Sequence, residues 1–512
     1  MKTVGDMKTV LMRRGLLKAY QGETAALERK VSWITYDSRQ VRDGTLFFCK
    51  GKEFRKKYLE DAAAGGCIAY VAEERLEEAD SVSIPCLTVW DIRKAMAVLA
   101  AYFFEYEPDQ PVLTGITGTK GKTTTAWYLK GMLDAWEAEQ GYQETGLISS
   151  VQNYDGKIRE DAVMTTPEAF VLQEHLANAR EEHLRYMTME VSSQALKYKR
   201  VRELRFRVGI FLNISEDHIS PQEHADFEDY FGAKLSIFRQ TDTACVNLDS
   251  PESDRILKAA RKARRVVTFG KSKDADVRYR NVRILNGRIT FSVESEGFQD
   301  TFTLAMRGVF NVENAVAAIA AASVYGVPVH CMKHALASVC VPGRMEMYTS
   351  RDGKICGIVD FAHNRLSFER LFDAVYQEYP QYHRIVSVFG CPGGKALNRR
   401  RELGLLAGLF SDKVYLTTDD PFSERAQDIA AEVREYTELA GCPCVCIEDR
   451  EQAICQAVEE CGDEKTLILV LGKGSEKYQK IGGKAYIYPT DAELLSQAIH
   501  QYDGIQFSHA IK

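Results

Sequence analysis

The sequence predicts an α/β protein of three domains: a small mixed α/β N-terminal domain, a central P-loop-like domain with a mostly parallel sheet, and a C-terminal Rossmann-like, doubly wound domain. Three observations predict it. The 512 residues exceed what one hydrophobic core sustains and divide naturally into about three units. The apolar, β-branched run from Val112 to Thr117 leads through Gly118 and Gly121 into a helix start at Lys122 and Thr123, a strand, turn and helix that hold phosphate. Beyond residue 341, strand-like runs at Gly357 to Phe361, Arg384 to Phe389, Lys413 to Thr417 and Thr466 to Leu471 alternate with helical stretches, the pattern of parallel strands.

Residues 1 to 30 read as helical. Val31 to Tyr36, Thr45 to Cys49 and Ile68 to Val71 are short β-rich runs, with a helix expected from Tyr58 to Ala64. Asp37-Ser38-Arg39 by itself is a charged turn between strands. The proline-punctuated, polar stretch Glu105 to Pro111 marks a linker, and Val341-Pro-Gly-Arg344 a second hinge, which gives domains at 1–108, 109–340 and 341–512.

In the phosphate turn, exposed N–H groups point at an anion, the Lys122 ammonium neutralises outer phosphates, and the Thr123 hydroxyl takes one place on Mg²⁺. The fit to the general pattern is incomplete, because Ile116 stands where its first glycine belongs. Apolar Leu129, Met132, Leu133 and Trp136 then fall at helical spacing. Met164-Thr-Thr-Pro-Glu168 reads as a helix start, with Thr166 as N-cap, Pro167 at the first helical position and Glu168 in the first turn. Glu190 ends the apolar strand that begins at Tyr186. It either reaches a nucleotide-bound Mg²⁺ at the carboxyl edge of a parallel sheet or caps the next turn through Ser192 or Ser193. The strand Val208 to Asn213 is followed by Glu216-Asp217-His218, where the histidine is a metal ligand or an ordinary hydrogen-bonded group. A helix runs through Lys234, and another starts at Phe310 with Asn311 as N-cap. Gly390, Gly393, Gly394, Gly472 and Gly474 follow strands but lack the Gly-x-Gly-x-x-Gly spacing of a dinucleotide site.

A net charge of -6 with 45% hydrophobic residues gives no sign of a nucleic-acid or acidic-membrane partner. Arg399-Arg400-Arg401 is a local cluster. Charges interrupt Met1 to Lys18, and no window approaches the roughly 18 apolar residues that span a bilayer, so the expected location is the cytoplasm. The thirteen cysteines, odd in number and irregular in spacing, read as reduced core residues. Cys442, Cys444 and Cys446 alternate along one face of a half-buried strand and lack the spacing of a zinc knuckle. No Asn-Lys-x-Asp motif supports a signalling GTPase.

In order, and across nearly the whole chain, the motifs resemble the Mur ligase family, and within it the MurE type, the UDP-N-acetylmuramoyl-tripeptide synthetases. The resemblance is carried by Asp37-Ser38-Arg39, Gly118-Thr-Lys-Gly-Lys-Thr123, Thr165-Thr-Pro-Glu168, Glu190-Val-Ser-Ser193, Asp217-His218, Phe310-Asn-Val-x-Asn314, Val341-Pro-Gly-Arg-Met-Glu346 and Gly472-Lys-Gly-Ser-Glu476. It implies a UDP-substrate domain, a central ATPase domain and a C-terminal ligase domain. Together they would join an amino acid, with ATP, to a UDP-linked muramoyl dipeptide through an acyl phosphate. The chain is expected to act as a monomer.

By this resemblance Lys122 contacts the outer phosphates, within a cradle of Gly118, Thr119, Lys120, Gly121, Thr123 and Thr124. Thr123 and Glu190 hold the first Mg²⁺ and His218 the second. Lys234 matches a carbamylated lysine (N6-carboxylysine); unmodified, it would be a helix-surface lysine. Asn314, Arg344 and Asp360 match ATP contacts, and Ser38 the uridine diphosphate contact. Thr165, Thr166, Ser192 and Arg200 match contacts to the muramoyl peptide, and Asp419, Asp420, Phe422, Gly472 and Glu476 further substrate contacts.

The chain departs from the family pattern at Lys120 in the phosphate turn, at Gln194 after the paired serines, and at Phe361-Ala-His363-Asn-Arg365. It also has Asp419-Asp420-Pro421-Phe422 where diaminopimelate-adding members resemble Asp-Asn-Pro-Arg. Phenylalanine cannot pair with a distal carboxylate, and an extra carboxylate suits a lone ammonium, so L-lysine is favoured, with another diamino acid as the alternative. Two rivals stand beside this reading: a related ligase with a different carboxylate acceptor, and a diverged paralogue that binds UDP-muramoyl peptide and nucleotide without turnover.

Overall fold

A computed structural model describes residues 2–51, 54–76, 84–217, 219–220, 223–285 and 287–504. They form three separate main sheets and one short hairpin.

The N-terminal sheet has five strands in the order Leu17–Gln21, Cys86–Val89, Cys67–Ala72, Thr45–Phe48, Trp33–Thr35. The expectation that residues 1 to 30 are helical is corrected. An α-helix covers only Val4–Arg13, opened by a Thr3 and Asp6 capping box, with a short 3-10 helix at Thr24–Glu28. Gly15 follows at φ 65°, a left-handed conformation that glycine adopts without strain, and it turns the chain into Leu17–Gln21. That edge strand pairs antiparallel with Cys86–Val89, while the other pairings are parallel.

The central sheet has eleven strands, and six of its ten pairings are parallel. Its middle is Val112–Thr117, flanked by Tyr186–Glu190 and Phe206–Phe211. Side chains alternate across the sheet. Ile116 faces one core with the helices Lys122–Glu139 and Asn311–Tyr325, and Leu113 faces a second core with Ala169–Glu181 and Phe227–Leu235. The parallel part is extended by an antiparallel meander, Val277–Leu285, Arg288–Ser295 and Gln299–Leu304, which sequence reading did not single out.

The C-terminal sheet runs Glu346–Thr349, Ile355–Asp360, Thr466–Leu471, Arg384–Phe389, Lys413–Leu416, Cys444–Cys446, parallel except at its first pairing. Ile358 and Leu469 face the helices Arg365–Glu378 and Asn398–Phe410. Val359 and Val470 face Arg450–Glu459 and Asp491–Tyr502. Both faces are covered, as a doubly wound sheet requires. The cysteine expectation is corrected in part: the strand holds only Cys444 and Cys446, and exposure grows from buried Cys442 to exposed Cys446.

Two caps also differ. The helix after Thr165 starts at Ala169 with Glu168 as N-cap, because the Thr166 hydroxyl is engaged elsewhere: it donates to Glu190 O at 2.8 Å and accepts from Ser192 N at 3.0 Å. Asn311 is the first helical residue and Phe310 the cap, since the Asn311 amide donates back to Arg307 O and accepts from Asn314.

Candidate active site

The phosphate turn follows the central strand at its carboxyl edge. Gly121 caps the helix Lys122–Glu139 at φ 87°, and a Cβ there would overlap Asn314 Oδ1, so the bare backbone lets the helix Asn311–Tyr325 close on the turn. Asn213, after the neighbouring strand, locks the turn from the other side: its Oδ1 accepts from Lys120 N at 2.9 Å and its Nδ2 donates to Lys120 O at 3.1 Å. Thr123 and Thr124 are buried in the first helical turn.

Lys122 Nζ donates to Gly118 O and Thr119 O at 3.0 and 3.1 Å. The alternative of a surface lysine does not hold: Lys234 is buried at 2% exposure, its Nζ donating to Gly118 O at 2.8 Å. Burial first, then the neighbouring Lys122 and Lys120 charges, hold the Lys234 amine well below its usual range. Burial likewise lowers Lys122, and brings Lys120 down to about 8 despite Asp217. Three lysine side chains converge on one turn, so charging all of them at once is disfavoured, a cost an anion relieves.

Glu190 is fully buried. Its carboxylate accepts from Ser150 N at 2.7 Å and Ser150 Oγ at 3.2 Å, and its charge favours protonated Lys122. The cap at the next helix is supplied instead by the Ser192 hydroxyl, so Glu190 is not the capping group. His218 lies outside the described residues.

The C-terminal sheet supplies the opposite wall. Asp360 accepts from Met345 N at 2.9 Å and Ala362 N at 2.8 Å, and burial raises its carboxyl. Arg344, lowered by burial, lies over the Phe361 ring at 4.4 Å. His363 Nδ1 donates to Phe361 O at 2.6 Å, and burial with nearby Lys120 and Arg399 keeps the ring neutral. Asp217 joins the two walls: it pairs with Lys120 at 3.6 Å and Arg399 at 3.1 Å and accepts from Asn364 Nδ2 at 2.7 Å.

These groups enclose a cleft of about 420 Å³, lined by Thr119 to Thr124, Glu190, Asn314, Arg344, Asp360, Asp419, Asp420, Gly472 and Glu476 among others. A second cleft of about 980 Å³ adjoins it, with Thr165, Thr166, Ser192 and Arg200 in its lining. Lys122, Ser150, Thr165, Phe361, Lys395 and Glu476 belong to both.

Several expected residues are already engaged by protein partners or lie away from both clefts. Arg200 is bound to Glu168 at 2.9 Å and to Thr166 O at 3.2 Å, and Glu168 also pairs with Lys50 at 2.9 Å, tying the N-terminal sheet to this wall. Ser38 sits half-buried in the short turn Ser38–Gln40 and lines neither cleft. Asp420 is not a free carboxylate, because buried Lys473 pairs with it at 2.9 Å and with Glu476 at 2.6 Å. Asp419 is pushed up to about 6 by burial, against the pull of Lys473 and Arg450. Phe422 also lines neither cleft. Its backbone bonds to the hairpin at Lys480 and Gly482, and its ring lies under Lys395 Nζ at 4.8 Å.

Asp217, Asn213, Lys395, Arg399 and Lys473 were missed as site residues. The signal was available: Asn213, Asp217, Lys395 and Lys473 lie in loops that follow strands at the edge where ligands collect, and Arg399 opens the helix after one of those loops. The arginine cluster proves to have divided roles, since buried Arg400 pairs with Glu424 and Glu432 inside its own domain while Arg399 faces Asp217.

Residues 116–322 match the Mur ligase middle domain and residues 343–474 the Mur ligase, glutamate ligase domain. The chain is 36% identical over 491 residues to a UDP-N-acetylmuramyl-tripeptide synthetase of Lactobacillus delbrueckii subsp. bulgaricus, covering 92% of this chain and 93% of that one. It is 36% identical over 481 residues to the UDP-N-acetylmuramoyl-L-alanyl-D-glutamate--L-lysine ligase of Enterococcus faecalis, covering 93% and 92%. Among solved structures, a UDP-N-acetylmuramoyl-L-alanyl-D-glutamate--2,6-diaminopimelate ligase shares the fold with a TM-score of 0.63 at 23% identity, over 95% of this chain and 98% of that one. MurF ligase from Thermotoga maritima in complex with ADP does so with a TM-score of 0.59 at 17% identity, over 94% and 99%.

Proposed function

This chain belongs to the Mur ligase family, and from that membership we propose that it is a MurE-type, ATP-dependent ligase that joins L-lysine to UDP-N-acetylmuramoyl-L-alanyl-D-glutamate in peptidoglycan precursor synthesis. The observation that carries the reading is the meeting of two clefts at Lys122, one built on a phosphate turn that presents Lys120 and Lys122, the other larger and lined in part by the hydroxyls of Thr165, Thr166 and Ser192. Nucleotide occupies the first and the UDP-linked peptide the second.

The acceptor carboxylate attacks the γ-phosphorus, ADP leaves, and the resulting acyl phosphate is opened by the lysine amine, with phosphate as leaving group. The residues' task is to position the reactants and offset charge. Lys122 turns its ammonium from the turn's own carbonyls to the outer phosphates, and Arg344 supports the nucleotide. Asn314 and Asp360 hold the rest of the nucleotide. Thr165, Thr166 and Ser192 face the acceptor, and Ser38 belongs to the uridine diphosphate side. Asp419, next to Gly472, receives the cationic end of the amino acid, since Asp420 and Glu476 already share Lys473.

The donor set fits Mg²⁺: Glu190 is a buried carboxylate beside Lys122, and the Thr123 hydroxyl opens the adjoining helix. We assign the first ion to these two and a second to His218 and Lys234. Bound there, Mg²⁺ supplies positive charge to the phosphates. A depressed amine at Lys234 is the neutral nucleophile that carbamylation by CO₂ requires, and the carbamate turns a repelling ammonium into anionic oxygen. A ¹³C carbamate resonance from labelled bicarbonate, absent in Lys234→Ala, checks that assignment.

We further propose domain boundaries at 108/109 and 340/341, a monomer, and a cytoplasmic location, the last supported by the thirteen free cysteines. The reaction is tested with purified protein, ATP, Mg²⁺, the UDP-muramoyl dipeptide and a panel of amino acids, by phosphate release and product mass. Release that needs both acceptor and L-lysine is expected. Turnover with diaminopimelate alone overturns the choice of amino acid, and binding without release overturns the ligase.

A further inference from the structure

The helix Lys122–Glu139, which opens on the phosphate turn, packs against the helix Val329–Ser338. Gly131 lies against Ala335 and Val339, and Glu139 against His330, so the two helices run antiparallel. At the end away from the turn, three side chains converge. His330 Nε2 is 2.7 Å from Glu139 Oε1 and 3.4 Å from Cys331 Sγ. The three atoms lie within 4.8 Å of one another, and among the described residues this is the one group of three or more His, Cys, Asp or Glu side chains that does so. None of the three lines either cleft, and the length of the first helix, about 25 Å, separates Glu139 from Lys122.

We propose that Glu139, His330 and Cys331 bind one Zn²⁺, with water completing a tetrahedron. Thiolate, imidazole and carboxylate are zinc's donors, and a sulfur and nitrogen pair selects it over Mg²⁺, which prefers oxygen and keeps its waters. With Zn–S at about 2.3 Å and Zn–N at about 2.0 Å, a tetrahedral ion sets those two donors about 3.5 Å apart, against the 3.4 Å observed. The matching oxygen to nitrogen edge is about 3.3 Å, so Glu139 retreats by about 0.6 Å, which its half-exposed side chain permits.

Binding moves protons and no electrons. The Cys331 proton leaves to solvent as the thiolate forms, and the imidazole proton moves from Nε2, where it bridges to Glu139, to Nδ1. The nearest lysine in the chain, Lys333, is paired with Asp300 at 2.7 Å. Glu139 and His330 stand 191 positions apart, so no local spacing in the sequence announces the site. The ion ties together two helices, one carrying the phosphate turn and the other leading to Val341 and the C-terminal domain, and so contributes to stability rather than to the reaction.

The test uses the full chain, freed of metal with a chelator, given Zn²⁺ in excess Mg²⁺, desalted and read by elemental analysis. About one zinc per chain is expected to remain. Co²⁺ in place of Zn²⁺ gives a thiolate-to-cobalt charge-transfer band, which the oxygen donors of the nucleotide cleft do not produce, and Cys331→Ser removes it. His330→Gln and Glu139→Gln each weaken zinc binding by more than the roughly tenfold that loss of a supporting hydrogen bond costs. Zinc raises the thermal midpoint of the parent and not of His330→Gln, whose Mg²⁺-dependent phosphate release is unchanged. Zinc lost on desalting in Mg²⁺ marks an adventitious ion only and overturns the proposal. So does a cobalt band that survives Cys331→Ser, or zinc affinity untouched by both His330→Gln and Glu139→Gln.

Discussion

Lys122 is held by two carbonyls of its own turn rather than by a carboxylate, so its charge is available to a ligand without breaking an ion pair. Lys122→Ala is expected to lower kcat by roughly 100- to 1,000-fold with little change in thermal stability, read by phosphate release and a melting curve. Asp419 makes a prediction of the opposite sign in charge. Its folded carboxyl titrates near 6 against an ordinary 3.8, so protonation removes the partner of a substrate ammonium as pH falls through 6. The KM for L-lysine is expected to rise about tenfold per pH unit below that point, and to be flat in Asp419→Asn. Because the folded value is the raised one, the ionised residue costs stability as pH climbs from 3.8 to 6. Asp419→Asn should therefore melt higher than the parent at pH 7, with the difference vanishing near pH 4.

The working elements are the ends of strands. Val112–Thr117, Tyr186–Glu190, Phe206–Phe211 and Ile355–Asp360 deliver Gly118 to Lys122, Glu190, Asn213 with Asp217, and Asp360 itself. Parallel pairing aligns those carboxyl ends, and the helix N-terminus at Lys122 adds its unsatisfied N–H groups to the same edge. Gly121 is the tightest point of this arrangement. A methyl group there meets Asn314 and must also adopt φ 87°. Gly121→Ala is expected to destabilise the protein by more than about 1 kcal/mol and to abolish nucleotide binding, measured by thermal unfolding and calorimetric titration of ADP. The helix starts near Thr166 and Asn311 were misassigned for a related reason. Both side chains could cap, but tertiary partners took their hydrogen bonds, and local sequence does not encode which partner wins.

At the scale of the molecule, the smaller cleft exists only while the central and C-terminal sheets face each other. Asp217 with Arg399 and Asn364 closes the front, and Glu378 of the helix Arg365–Glu378 closes the back, accepting from Gly308 N at 3.1 Å and Val309 N at 2.7 Å. Glu378 lines neither cleft, so Glu378→Ala should leave the chemistry intact. It is expected to enlarge the radius of gyration in small-angle scattering and to raise the KM for ATP several-fold. The sequence by itself determined the alternation of strand and helix, the phosphate turn from Gly118 to Thr123 and the family. Those depend on residue type and spacing within a few positions, which the chain states directly. Only the tertiary structure decided that Lys234 is buried against Gly118, that Lys473 occupies Asp420, and that Arg399 and Asp217, 182 positions apart, meet across the cleft. Burial and ion pairing depend on which elements the fold brings together, and that information lies in the packing of the three sheets rather than in any one segment.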